Sequence, residues 1–145
     1  MREDIEDQIS VNQAFTGAAT VSTNSRKKQT AAQDLSIGER IALSVRPTVN
    51  AGAGSTVQIE VIQADDAALT SNVEALNSVS VVAAKFIKGK EIEVPIPQGV
   101  MTKMYLGARV TITGGTTTAS MDIYIGLQKD IPMYKSFPKV NNVVV

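Results

Sequence analysis

The sequence predicts an all-β fold, a sandwich or barrel of short antiparallel strands. About seven or eight strand-like runs recur with turn signals roughly every ten residues, and no amphipathic helix of any length interrupts them. The clearest run is residues 103–128, KMYLGARVTITGGTTTASMDIYIGLQ. There Met104, Leu106, Ala108, Val110 and Ile112 alternate with Tyr105, Gly107, Arg109 and Thr111. Beyond Gly114-Gly115 the parity inverts, with Ala119, Met121, Ile123, Ile125 and Leu127 on one face and Ser120, Asp122, Tyr124 and Gln128 on the other. A period of two marks half-buried strands. The glycine pair suits a tight reversal, so an antiparallel hairpin is expected, with Val110 facing Met121 and Arg109 facing Asp122 on the outer surface.

Taken in order, the chain opens with an acidic start (Glu3, Asp4, Glu6, Asp7) and sparse apolar residues Ile5, Ile9, Val11 and Phe15, which reads as an N-terminal arm over residues 1–15. Residues 18–23 suit a weak edge strand. The following segment, residues 24–30, contains Arg26-Lys27-Lys28 and reads as a charged loop, either a solvated face or a contact to an acidic partner surface. Residues 40–49 place Ile41, Leu43 and Val45 inward and Arg40, Ser44 and Arg46 outward, with Pro47 at the far end or in a bulge. A Gly- and Ala-rich stretch leads into residues 56–63, where Val57, Ile59 and Val61 alternate with Gln58 and Glu60, and these two strands are expected to form another hairpin. Residues 73–82 are β-prone with a less regular period, residues 83–86 fit a single helical turn, and Lys88-Gly89-Lys90 fits a reversal. Ile92, Val94 and Ile96 then point inward from a strand whose Pro95 and Pro97 suit an edge. After the sandwich, residues 16–129, the chain runs out in a C-terminal arm, residues 130–145, broken by Pro132 and Pro138.

Composition narrows the function. The 145 residues suffice for one domain that buries about two-thirds of its unfolded surface. There are no cysteines, so neither disulfides nor thiolate metal sites are available, which fits assembly in a reducing cytoplasm. Fourteen basic and fourteen acidic residues cancel, leaving no global field for nucleic acid or an anionic membrane. No run approaches the length of a membrane span, and the acidic start is unlike a signal peptide. Nucleic-acid and membrane partners are therefore not expected.

The sequence holds no histidine, which removes the usual general base and every Ser-His or Cys-His nucleophile. Carboxylates remain, as in a glycosidase. Asp65-Asp66 and the pair Glu91 and Glu93 are the candidates. Asp65-Asp66 follows a strand, where a turn-forming pair outweighs a calcium or catalytic site. Glu91 and Glu93 share the polar face of a strand, as on any solvated sheet. No glycine pattern cradles phosphate, and three tyrosines with three phenylalanines are thin for sugar stacking. The expectation is a non-enzyme with no cofactor and no metal.

The ends are the functional clue. Fifteen extended residues reach about 50 Å, farther than the width of the domain. The arms carry Ile5, Ile9, Val11 and Phe15 at one end and Met133, Tyr134, Phe137 and three terminal valines at the other. Such residues either complete the domain's own sheet or dock on another subunit, and with Arg26, Lys27 and Lys28 they form the candidate protein interface.

In order along the chain, Ser22-Thr23-Asn24, Asp34-Leu35-Ser36-Ile37-Gly38-Glu39, Asn50-Ala51-Gly52-Ala53-Gly54, Gln63-Ala64-Asp65-Asp66, Val94-Pro95-Ile96-Pro97-Gln98-Gly99 and Tyr105-Leu106-Gly107 through Thr113-Gly114-Gly115-Thr116 resemble the jelly-roll capsid cement, or head decoration, proteins of tailed bacteriophages. The likeness covers residues 14–129. It departs at Arg26-Lys27-Lys28, where that family's pattern calls for an apolar first strand. The resemblance implies a jelly-roll sandwich with extended arms, placed on the outer surface of a virion head. It implies as partners the major capsid protein and copies of itself, as a homodimer or homotrimer, and it supplies no catalytic residues. The alternative is a carbohydrate-binding sandwich of a phage adhesin, with calcium at Asp65-Asp66. A glycosidase stands third.

Overall fold

The computed structural model describes residues 8–28, 41–97 and 99–127. Expectations that fall on Ile5, on the segment 34–39 and on the arm 130–145 with Met133, Tyr134 and Phe137 lie outside the described residues. Nine strands are present among those described: β1 (Gln8–Phe15), β2 (Thr20–Val21), β3 (Arg26–Lys27), β4 (Ile41–Val49), β5 (Thr56–Ala64), β6 (Glu74–Val82), β7 (Ile92–Pro95), β8 (Tyr105–Thr113) and β9 (Ala119–Leu127). They form two antiparallel sheets, in the orders β1-β9-β4-β7 and β2-β8-β5-β6, with β3 also pairing β8. No described helix is long and apolar enough to cross a membrane.

Of the consecutive strands, β5 and β6 alone pair with each other; every other step carries the chain to a strand it does not pair with. That order is the double Greek key of a jelly roll. It corrects two expectations. β8 and β9 do not form a hairpin: Gly114-Gly115 carries the chain from one sheet to the other, and Arg109 lies opposite Glu60 of β5 while Asp122 lies opposite Arg46 of β4. Likewise β4 and β5 lie in different sheets. The physical reason is that a period of two specifies which face is buried and leaves the neighbouring strand unspecified.

The inward parity itself holds. Val57, Ile59, Val61, Leu106, Val110 and Ile112 from one sheet meet Leu43, Val45, Met121, Ile123 and Val94 from the other in a single core. Pro47 coincides with a bulge in the pairing of β4 with β9, where the missing N–H costs no ladder bond. A 3-10 turn, Ala83–Lys85, follows β6.

The expected arm over residues 1–15 is corrected for its second half. Gln8–Phe15 is a full strand on β9, and Ile9 and Phe15 are core residues. Two register shifts interrupt the strand, which turns Val11 out to solvent at 63% exposure although its parity matches Ile9 and Phe15. The loop expected at residues 24–30 is also partly regular, since Arg26 and Lys27 pair with Leu106 and Tyr105, and the Lys28 N–H donates to the Met104 carbonyl at 2.9 Å.

Each open side of the sandwich is bridged by an amide. On one side the Gln13 amide donates to the Val21 carbonyl at 2.9 Å and its oxygen accepts from the Thr23 N–H at 3.0 Å. On the other the Asn77 amide donates to the Pro95 carbonyl at 2.8 Å.

Candidate functional site

The carboxylates that looked most like chemistry are engaged in structure. Asp66 closes the β5–β6 connection on itself: its carboxylate accepts from the Thr70 hydroxyl at 2.6 Å, the Thr70 N–H at 2.8 Å and the Ser71 N–H at 2.9 Å. Those donors, the Thr70 hydroxyl foremost, hold its carboxyl below the usual carboxylate range. Asp65 accepts from the Asn72 amide at 2.7 Å and faces the Lys103 ammonium at 3.6 Å. The loop thus folded lays Leu69 over Ile62 and Ala64 on the outer face of the β5–β8 pair, a second small core reinforced by Val21, Val73 and Tyr105. Gly107 makes room for it, because a Cβ there would fall well inside the contact distance of Leu69 Cδ1 and 3.1 Å from Ser22 Oγ.

Glu91 accepts from the Ser44 hydroxyl and lies 3.8 Å from Arg46 Nε. Glu93 stands opposite Ser44 in the β4–β7 ladder. The Arg46 guanidinium in turn rests over the Tyr124 ring, 4.9 Å from its centroid, so this face of the sheet is a mixed polar surface. Among the described residues no three potential ligands converge to hold a metal ion.

The candidate interface residues separate into three groups. Ile9, Phe15 and Lys28 are buried within this chain and are removed from any contact surface. Val11 and Lys27 are exposed and Arg26 is half-buried, all three on the side of the sandwich where β1 and β3 lie. The third group, Ile5, Met133, Tyr134 and Phe137, lies outside the described residues.

Sequence reasoning missed two surface features. At one end of the sandwich the loops over residues 16–19, 50–55, 83–90 and 114–118 gather. Gly52 N–H donates to the Thr118 carbonyl at 2.8 Å, Thr116 N–H to Ala53 at 2.9 Å, Ala51 N–H to Phe86 at 3.3 Å, and Ile112 N–H to Gly17 at 3.0 Å. Val49, Val82 and Ile87 are exposed at or beside this end, and no periodicity could have flagged them because they sit where strands stop.

The second feature is an edge. Among the described strands four borders are open, and three carry a device that discourages further pairing. β1 is bulged twice, β7 has four residues and ends in Pro95, and β2 with β3 offers two residues at a time. β6 differs. It is nine residues long, EALNSVSVV, with Glu74 its sole charge and no proline, and its register on β5 is unbroken from Asn77 to Val82. Ser78, Ser80 and Val82 are exposed along it.

Comparison with known proteins gives three findings. A family model described as Bbp16 matches residues 9–125. No curated protein matches the chain. A solved structure titled "Crystal structure of PirA" aligns over 87% of this chain and 97% of its own at 12% identity, with a TM-score of 0.44.

Proposed function

We propose that this protein, which belongs to the Bbp16 family, is a structural virion component that binds the outer surface of a phage head. There it cements neighbouring major capsid proteins against the outward pressure of packaged DNA. The single observation that carries the reading is the strand order. A four-stranded and a five-stranded sheet wound as a double Greek key are the arrangement in which the sequence resemblance to head decoration proteins was expected to fold, and viral shells are one of the settings where it recurs. The engagement of Asp65, Asp66 and Glu91 in loop and strand contacts agrees with a role in shape and adhesion without turnover.

On a symmetric shell the same site is presented many times. Modest individual contacts then become durable through effective concentration.

The test is reconstitution. Purified protein is added to heads that lack it, and bound protein is read by co-sedimentation and by survival of the heads on heating or at low salt. Saturable binding with raised survival is the expected result. A protein that stays in the supernatant at every concentration sinks the proposal. A second arm removes residues 1–7 and 133–145. The truncation begins before β1, because trimming to Asn12 would take Ile9 out of the core and confuse binding with folding.

A further inference from the structure

We propose that the end of the sandwich where residues 16–19, 50–55, 83–90 and 114–118 gather is a docking face for an acidic surface of a different protein. Lys85, Lys88 and Lys90 pair with its carboxylates, and Val49, Val82 and Ile87 pack between them. The inference rests on the head-binding reading in one respect, that the shell protein supplies the acidic surface.

The first observation that carries this is charge. Those four loops hold three lysines and no arginine, aspartate or glutamate. All three lysines are exposed, and among the described residues none of them is in an ion pair. The carboxylate nearest in sequence, Glu91, already accepts from the Ser44 hydroxyl and faces Arg46. Basic and acidic residues balance over the whole chain, so everything outside this end sums to a net negative charge. The molecule is therefore polarised, and a negative surface draws it in by this end.

The second observation is apolar exposure. Of the five large apolar side chains exposed among the described residues, three are at or beside this end: Val49 at 54%, Val82 at 49% and Ile87 at 44%. Hydrogen bonds fix them among the lysines, with Lys88 N–H donating to Asn50 Oδ1 at 2.7 Å, Gly89 N–H to the Pro47 carbonyl at 3.1 Å and Ala83 N–H to the Ser55 carbonyl at 2.9 Å. Phe86 anchors the turn in the core and leaves Ile87 and its flanking lysines outside. A face tied down in this way loses little entropy on binding. Apolar residues set among polar ones suit a protein contact. No exposed aromatic or arginine stands here, as stacking on nucleic acid or anchoring at a lipid interface would use. Neither arm starts from this face, since Gln8 and Leu127 lie toward the opposite end of the sandwich.

The test titrates the full chain onto heads that lack it, with co-sedimentation as the readout. Wild type is expected to bind with an apparent Kd that rises with salt. Reversal of the three charges together, Lys85→Glu with Lys88→Glu and Lys90→Glu, should raise that Kd roughly tenfold or more. Ile87→Ser, which changes no charge, should weaken binding severalfold and keep the salt dependence. Melting temperatures confirm that each variant folds. Wild type that binds while either variant binds equally well overturns this inference and spares the head-binding reading; wild type that never binds removes both. Vesicles of phosphatidylcholine and phosphatidylserine in equal parts form a second arm. Wild type is expected to stay free of them, and binding that the charge reversal abolishes would overturn the proposal by assigning this end to a membrane.

Discussion

The pairing of Arg109 decides between two topologies, and a double-mutant cycle reads it directly. In a β8–β9 hairpin its partner is Asp122; in the jelly roll it is Glu60, which receives two parallel bonds, from Nε at 3.1 Å and from Nη2 at 3.0 Å. The side chains are 29% and 13% exposed, so the pair is partly screened and partly sheltered. Exposed ion pairs contribute between nothing and 1 kcal/mol, while bidentate geometry and a covered carboxylate move a pair to the top of that range, so the coupling expected is about 1 kcal/mol. Urea unfolding of the wild type, Glu60→Ala, Arg109→Ala and the double variant at neutral pH gives the coupling free of other losses, such as the contacts of the arginine stem. A thermal melt would show it as a shift of about 3 °C for a domain of this length. A second cycle with Arg109→Ala and Asp122→Ala is expected to give additivity, because Asp122 lies in the other sheet and accepts the Asn12 N–H at 2.6 Å. Coupling confined to the Asp122 cycle, or none in the Glu60 cycle, would refute the strand order.

Three further outcomes follow from close packing and from one loop carboxylate. Gly107→Ala is expected to destabilise the fold by roughly 1–3 kcal/mol by pushing Leu69 out of its seat, and Leu69→Ala by roughly 2–3 kcal/mol by emptying it; the double variant should cost less than the two single costs added, measured by the same urea titration. Gly52→Ala should cost about 2 kcal/mol or more, since its Cβ would meet the backbone carbonyl of Thr116, which cannot swing aside as a side-chain tip can. Asp66 has a lowered pKa in the folded state, so its contribution is present above the ordinary carboxylate range and is lost as pH falls through that lowered value. Amide exchange at Thr70 and Ser71, corrected for intrinsic rate, should therefore accelerate toward low pH in the wild type. In Asp66→Asn it should be fast throughout.

What the residues disclosed about the fold was largely orientation. Leu106, Val110, Ile112, Met121 and Ile123 face the core as their spacing requires, and the outward Arg109 and Asp122 stay outward. Partnership was hidden, because an alternating strand is equally satisfied by any neighbour that keeps its apolar side inward. β1 was left open between an arm and a strand of the domain's own sheet for a different reason: its two bulges break the alternation that would have marked it, so that Ile9 and Phe15 are inside and Val11 between them is not. Lys28 illustrates a third limit. A run of three cations reads as a solvated loop, yet the pairing of Arg26 and Lys27 with β8 draws the third to 2% exposure. Of the candidate surface, Val11, Arg26 and Lys27 were visible in composition, whereas the bare border at β6 acquires meaning only beside the protected borders of the other strands.

The placement of β1 against β9 has a temporal consequence. Asn12 and Asp122, bonded across that junction, are 110 residues apart in the chain. A ribosome must therefore release almost the whole polypeptide before its first described strand can find its seat, and Ile9 and Phe15 remain wet until then. Folding should be slow by the standard of small domains, with closure of a very long loop as the barrier. Nascent chains stalled before residue 119 should remain open to proteases across their entire length.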